Sequence, residues 1–176
     1  MTESATFAII GAGLSGAAAA WRLAQSGAEV IVLERDVPAS VHGSSHGSAR
    51  IFRYAYPDRF YVDLVVQSKP GWDELEAASG QRLITPSGSL DFGAVRDPRL
   101  LAGVLETAGV EHELLGGEEA KARWPQLNFD SEVLWHPGAG VIDAESTVEA
   151  MIHLAESGGA ALGAGWLKPK ALAALL

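Results

Sequence analysis

Cysteine is absent from the 176 residues, which excludes a disulfide framework, a thiolate metal site and a cysteine nucleophile, and a reducing cytoplasmic setting is expected. Basic residues are scarce: 13 lysines and arginines face 22 acids, a net charge of −9, with no lysine- or arginine-rich run. Binding to nucleic acid or to an anionic membrane surface is therefore disfavoured. Long apolar runs are missing too. Ser4 to Trp21 is uncharged but rich in Gly, Ala and Ser, short of the roughly 20 apolar residues a membrane span needs. Met1-Thr-Glu-Ser carries an acid where a signal peptide has a basic start, so neither export nor insertion is expected. His42, His112, His136 and His153 are scattered without metal-ligand spacing, read as surface or packing residues, and predict no metal site. Ser44, Ser45 and Ser48 lack the GxSxG context of a nucleophilic serine. The hydrophobic content, 48%, is ordinary for a globular chain and permits a sizeable core.

Near the amino terminus stands Phe7-Ala-Ile-Ile-Gly11-Ala12-Gly13-Leu14-Ser15-Gly16, followed by Val30-Ile-Val-Leu33-Glu34. A buried strand from Phe7 to Ile10 runs into a turn bent at Gly11. Gly13 lets backbone approach a pyrophosphate, and Gly16 lets the next helix pack on the strand. The helix start offers free N–H groups and the positive end of its dipole. A second apolar strand ends at Glu34, about 20 residues beyond the glycines, where a carboxylate accepts from ribose hydroxyls and disfavours a 2′-phosphate. A lone glycine turn is weak, since any tight strand-to-helix connection produces one. Here the apolar run before it, the helix-forming Ala17 to Ala24, the helix stop at Gly27 and the acid all agree with dinucleotide binding.

Asp36 to Ser48 is too polar and glycine-rich for regular structure and suits a binding loop. Val62 to Ala78 has helical spacing, but Pro70-Gly71 predicts a kink or two shorter helices. Arg82 to Gly93 reads as two short strands around a Pro-Ser-Gly turn. Asp97 and Pro98 open a helix that Gly109 closes. Val110 to Leu115 reads as a strand, and Gly117 to Trp124 as a helix stopped by Pro125. Val133–His136 and Val141-Ile142 form a hairpin across Pro-Gly-Ala-Gly140, and Asp143 or Ser146 caps a helix to Ser157. Ala160-Ala-Leu162 begins another core strand, after which an apolar tail predicts an incomplete, truncated domain. The pattern is α/β (α+β): a Rossmann-like core with part of an antiparallel sheet inserted.

A second motif, Gly43-Ser-Ser45-His46-Gly47-Ser48-Ala-Arg50-Ile-Phe-Arg53, places two arginines three apart after a glycine-flanked histidine. With Gly11, Gly13, Gly16, Glu34, the Thr85 to Phe92 hairpin, Arg123-Trp-Pro125 and Gly140-Val-Ile-Asp143, it resembles the sarcosine oxidase and N-methyltryptophan oxidase branch of the D-amino-acid-oxidase-like flavoproteins. The resemblance extends to about Gly163. It implies FAD as cofactor, a secondary amine or N-methyl amino acid as substrate, molecular oxygen as acceptor, and an imine and hydrogen peroxide as products. It implies no obligate protein partner.

The resemblance assigns Arg53 to the substrate carboxylate, Arg50 to the face of the flavin ring, and His46 to the loop beside it. Together with Gly11 to Gly16, Glu34, Arg35, Ser45 and Ser48, these are the expected cofactor-binding and catalytic positions. Residues 1–80 would form the first part of the FAD-binding core, 81–143 part of the substrate domain, and 144–176 an incomplete return to the core. Arg50 and Arg53 could also be two solvated charges on one helix face, and His46 a loop-stabilising hydrogen-bond donor. Tyr54, Tyr56, Phe60 and Tyr61 line either a pocket or the core. Ala49 departs from the Thr or Ser usual in the family. Family members continue well beyond this length, so weak or no turnover is expected from these residues alone. An inactive remnant and, less well supported by the Ser45 to Arg53 loop, an NAD-dependent dehydrogenase are the alternatives.

Overall fold

The computed structural model describes residues 5–164, so the expectations for the tail beyond Ala164 lie outside the described residues. Two compact units emerge among the described residues: 5–50, 75–83 and 143–164 belong to the first, and 51–74 with 84–142 to the second. No helix among the described residues is long and apolar enough to cross a membrane.

The first unit is a parallel sheet with two helices. Strands β1 (Phe7–Ile10), β2 (Val30–Glu34) and β9 (Ala161–Ala164) lie in the order β1-β2-β9, with Ile10 opposite Leu33 and Glu34 opposite Ala164. Helix α1 (Leu14–Gln25) forms from an alanine-rich run with no β-branched residue, and its buried face is Ala17, Ala20, Trp21 and Ala24. It stops as the sequence predicts: Gly27 takes φ +82°, its N–H bonds Ala24 O, and Ala28 N–H reaches Leu23 O. Helix α5 (Ala144–Ser157) starts at Asp143, whose carboxylate accepts from Ser146 N–H at 3.0 Å, and packs along α1. Close approach there depends on Gly158, where a Cβ would come within 3.2 Å of Ala24 Cβ.

One expectation fails in this unit. β1 is a strand but is not buried: Phe7 is 43% and Ile10 63% exposed. A continuous apolar run suits a parallel strand covered on both faces, whereas among the described residues β1 is bonded to β2 alone.

The second unit holds two three-stranded sheets. β3 (Arg50–Phe52), β8 (Gly140–Ile142) and β4 (Ile84–Pro86) lie in the order β3-β8-β4. β5 (Ser89–Phe92), β7 (Val133–His136) and β6 (Glu113–Leu115) lie in the order β5-β7-β6. Neither expected hairpin exists. β4 pairs antiparallel with β8 and β5 with β7, so each of two connected strands bonds a partner from the other pair. The connections bond each other instead: Ser87 and Gly88 N–H both donate to Ala139 O, at 3.2 and 2.9 Å. Between Val110 and Leu115 only Glu113–Leu115 is strand.

Helix α2 (Arg59–Ser79) is one continuous helix with Pro70 inside it, so of the two expectations the pair of shorter helices does not form. Trp72 packs edge-on to Phe52 at 6.1 Å, and Val62 and Leu75 are buried, so apolar burial on the two sides of Pro70 outweighs the lost backbone bond. Helix α3 (Pro98–Ala108) has the predicted ends: Asp97 accepts from Leu100 N–H at 3.2 Å, and Gly109 sits at φ +67°. Helix α4 (Gly117–Arg123) ends before Pro125. The core of this unit is Phe52, Tyr54, Ala55, Val62, Leu101, Ala102, Leu105 and Leu134. Tyr54 therefore belongs to the core, Tyr56 packs half-buried at its margin, and Phe60 and Tyr61 are exposed.

Candidate functional site

The glycine turn, the end of β2 and the loop after it converge in the first unit. Gly11 takes φ +95°, which only glycine adopts without strain, and its N–H bonds Leu33 O at 2.8 Å. At Gly16 a Cβ would stand 1.9 Å from Gly11 O and 3.3 Å from an Ile9 methyl, so the helix can leave the turn only with glycine there. Gly13 faces Ser45, whose Oγ would lie 3.4 Å from an added Cβ.

Two backbone donors hold the acid of β2. Glu34 Oε2 accepts from Ala12 N–H at 2.7 Å and Oε1 from Asp36 N–H at 3.1 Å. A carboxylate has about four lone-pair sites, so both oxygens keep capacity for ligand hydroxyls. Leu14 N–H donates to Ser45 Oγ at 3.1 Å, while Ala17 is the first helical residue bonded back, to Gly13 O at 2.9 Å. The N–H groups of Ser15 and Gly16 therefore remain for an anion at the helix start. A cavity of about 260 Å³, lined by Ala12, Gly13, Glu34, Arg35 and the 37–45 loop, opens beside them.

The histidine loop is tied at both ends. Ser45 is bonded to the start of α1, and Gly47 O accepts from Ala144 N–H, at the start of α5, at 3.1 Å. Between these anchors His46 is half-buried, with an Nδ1 that has no hydrogen-bond partner among the described residues. A buried ring nitrogen without a partner calls for a polar group that the described residues do not supply. The cradle, the spare carboxylate capacity and the orphaned nitrogen fit an adenine dinucleotide such as FAD.

Arg50 and Arg53 do not share a helix face. Arg50 opens β3, is exposed, and donates through Nη1 to Ala49 O at 3.0 Å. Arg53, in the second unit, is half-buried with its guanidinium carbon 4.9 Å from the centroid of Tyr56. Among the described residues it meets no carboxylate. An arginine supported by an aromatic face and lacking an anion is poised to take one. Ser48 and Arg35 are exposed.

The sequence reading did not identify Tyr56 as the shelf under Arg53, although aromatic-plus-arginine spacing was a usable signal. It also treated His136 as ordinary packing. His136 is fully buried, with Nε2 3.5 Å from Asp91 Oδ2. Burial pushes the Asp91 carboxyl up, but the His136 ring and the Arg96 guanidinium outweigh it and hold it below the usual carboxylate range. Burial raises the Tyr54 hydroxyl, Lys69 opposes this and Asp73 adds to it, so Tyr54 stays protonated.

Known proteins share this architecture. Monomeric sarcosine oxidase of Bacillus sp. (strain B-0618) is 35% identical over 86% of this chain and 40% of its own length. N-methyl-L-tryptophan oxidase of Escherichia coli is 31% identical over 87% of this chain and 43% of its own. The solved structure of NikD, an amino acid oxidase essential for nikkomycin biosynthesis, superposes with a TM-score of 0.80 at 32% identity, covering 93% of this chain and 44% of NikD. The chain thus spans about 40% of the length of the curated relatives it matches. The sequence pattern of one family runs through residues 6–165, across the glycine turn, the acid and the arginine loop alike, and the chain belongs to that family, the FAD dependent oxidoreductases.

Proposed function

We propose that this chain forms the ADP-binding and substrate-carboxylate-binding portion of an oxidase acting on a secondary amine or N-methyl amino acid. The observation that carries the proposal is the Gly13, Glu34 and Ser45 cradle, which presents helix N–H groups and a carboxylate to one cavity. That cavity is just under the roughly 300–1,000 Å³ of whole ligand sites, suiting one end of a dinucleotide.

In this reading the N–H groups of Ser15 and Gly16 hold the pyrophosphate, and Glu34 holds the ribose hydroxyls. His46 gives its free Nδ1 to the cofactor ring, and Arg50 provides a fixed cation near it. Arg53 grips the substrate carboxylate bidentately, which orients the carbon beside the nitrogen and accounts for much of the rate gain of such a site. FAD, when bound, supplies the two-electron acceptor that takes hydride from that carbon, leaving an imine, and molecular oxygen takes both electrons on as hydrogen peroxide.

The similarity to sarcosine and N-methyl-L-tryptophan oxidases supports this substrate class. A second reading is nucleotide binding without turnover. Titrating FAD while following flavin fluorescence is the test. Saturable binding, weakened at least tenfold by Gly13→Val and undisturbed by excess NAD, is the expected result. No FAD binding, or binding indifferent to Gly13→Val, would overturn it. Peroxide released on adding N-methyl amino acids separates the two readings.

A further inference from the structure

The segment that carries Arg53 is fixed from behind by a charged network that no part of the proposed chemistry uses. Phe52 and Tyr54 are buried, their rings in edge contact at 5.3 Å, and Tyr54 lies so close to Gly138 that a Cβ there would stand 3.2 Å from its ring. The chain then turns sharply at Ala55, with Tyr56 N–H bonding Tyr54 O at 2.9 Å. That turn points the carbonyl of the fully buried Ala55 at Arg96, whose Nη2 donates to it at 3.1 Å. Tyr56, the next residue, is the ring under Arg53.

Arg96 is itself held. Its Nε and Nη2 both reach Asp91 Oδ1, at 2.7 and 2.6 Å, and Asp91 is 6% exposed with His136 behind it. The planar fork thus donates to the carboxylate through Nε, keeps Nη2 in ion-pair contact with it, and donates from Nη2 to Ala55 O. An ammonium on a flexible stem cannot meet both acceptors in this fixed plane. A buried carboxylate so placed is costly for a scaffold, because removing one partner leaves the other uncompensated. Fixing a guanidinium behind a substrate-binding arginine is a use that matches where the network lies.

We propose that Arg96, clamped by Asp91, is a positioning residue: by pinning the Ala55 carbonyl it fixes the turn on which Tyr56 supports Arg53, and so presets the guanidinium for a carboxylate. This rests on the reading of Arg53 as the carboxylate grip. The general reason is that an arginine held in its bound geometry loses less side-chain freedom on binding.

The test uses the whole chain with ¹⁵N-labelled arginine, following the side-chain Nε–H signals of Arg53 and of Arg99, which pairs with Glu132 at 2.5 and 2.7 Å and serves as internal reference. Arg96→Lys keeps the positive charge beside Asp91 and loses the fork. The expected result is a folded protein in which Arg53 becomes more mobile on the ps–ns scale while Arg99 does not change. Affinity for N-methylglycine should fall about tenfold, the equivalent of one charge-assisted bond. An Arg53 signal identical in wild type and variant, or one already disordered in wild type, overturns the proposal. Should Arg96→Lys not fold, the neutral pair Asp91→Asn with Arg96→Gln leaves no unpaired buried charge and carries the same two results. A wild-type chain that does not bind N-methylglycine refutes the carboxylate role of Arg53, while the mobility comparison still decides the role of Arg96.

Discussion

Glu34 is the residue at which fold and cofactor binding can be separated by a single atom. Its two oxygens accept from two backbone donors, Ala12 N–H at 2.7 Å and Asp36 N–H at 3.1 Å. In Glu34→Gln one acceptor becomes an NH₂ group. Ala12 is 1% exposed and cannot turn to water, so the remaining oxygen stays with it. Asp36 is exposed, and its N–H is rehydrated, which limits the loss of stability to about 1 kcal/mol. In the proposed role the ligand meets the full change: a charged acceptor for the ribose hydroxyls becomes neutral and one face of it becomes a donor. A hydrogen bond to a charged group is worth about 1.5–3 kcal/mol, so FAD affinity should fall roughly 10- to 150-fold. Flavin fluorescence titration alongside urea unfolding reads both quantities. A variant that loses stability but binds FAD within twofold of wild type would reduce Glu34 to a staple for the turn and refute its role at the ribose.

Two other perturbations probe the second unit. Gly88→Ala places a Cβ 1.7 Å from Trp135 Cη2 at φ +67°, so backbone strain and a displaced ring should destabilise by about 3 kcal/mol, roughly 6–12 °C in Tm, with altered tryptophan fluorescence; an unchanged Tm would show that the turn relaxes freely. Asp91 is held below the usual carboxylate range, so the stability it contributes is complete above roughly pH 4 and is lost as pH falls through its lowered value, where the folded chain must take up a proton it resists. Thermal scans of wild type and Asp91→Asn down to about pH 3 should converge, and parallel curves would remove Asp91 from the acid response.

Element ends were legible because their causes are local. Asp97, Pro98 and Gly109 bracket α3, Asp143 starts α5, and Gly27 ends α1, each through a bond spanning a few residues. Strand partners were not legible. A short connection between β4 and β5, and another between β7 and β8, reads as two hairpins, yet whether a strand pairs with its neighbour or across depends on contacts far apart in sequence. Here the 85–90 and 135–141 segments exchange partners through Ala139 O and the Trp135 ring over Gly88. Pro70 shows the same limit, since a missing N–H predicts a break only where packing on either side does not favour continuity. The glycine turn was legible for the opposite reason: Gly11, Gly13 and Gly16 lie in one strand-to-helix connection, and Glu34 is brought to it by the pairing of the two strands which that one helix joins. The support of Arg53 was not, because Arg96 and Asp91 reach Ala55 from 41 and 36 positions away.

The glycines of one motif are there for different physical reasons, and this decides what their replacement reports. At Gly16 the obstacle is backbone: a Cβ would stand 1.9 Å from Gly11 O, no rotamer relieves it, and the helix would have to leave the strand. Any loss of FAD binding there would be loss of the fold. Gly13 differs, with φ −80° and ψ −174°, an extended conformation open to any residue, and among the described residues an added Cβ would meet only the Ser45 side chain, its Oγ at an ordinary 3.4 Å. Valine is comfortable in that backbone, so the first unit should fold around it, while its methyl groups occupy space between the helix start and the Ser45 loop. What Gly13→Val should remove is room for the ligand: the fold tolerates a side chain at Gly13, whereas a pyrophosphate held as proposed does not.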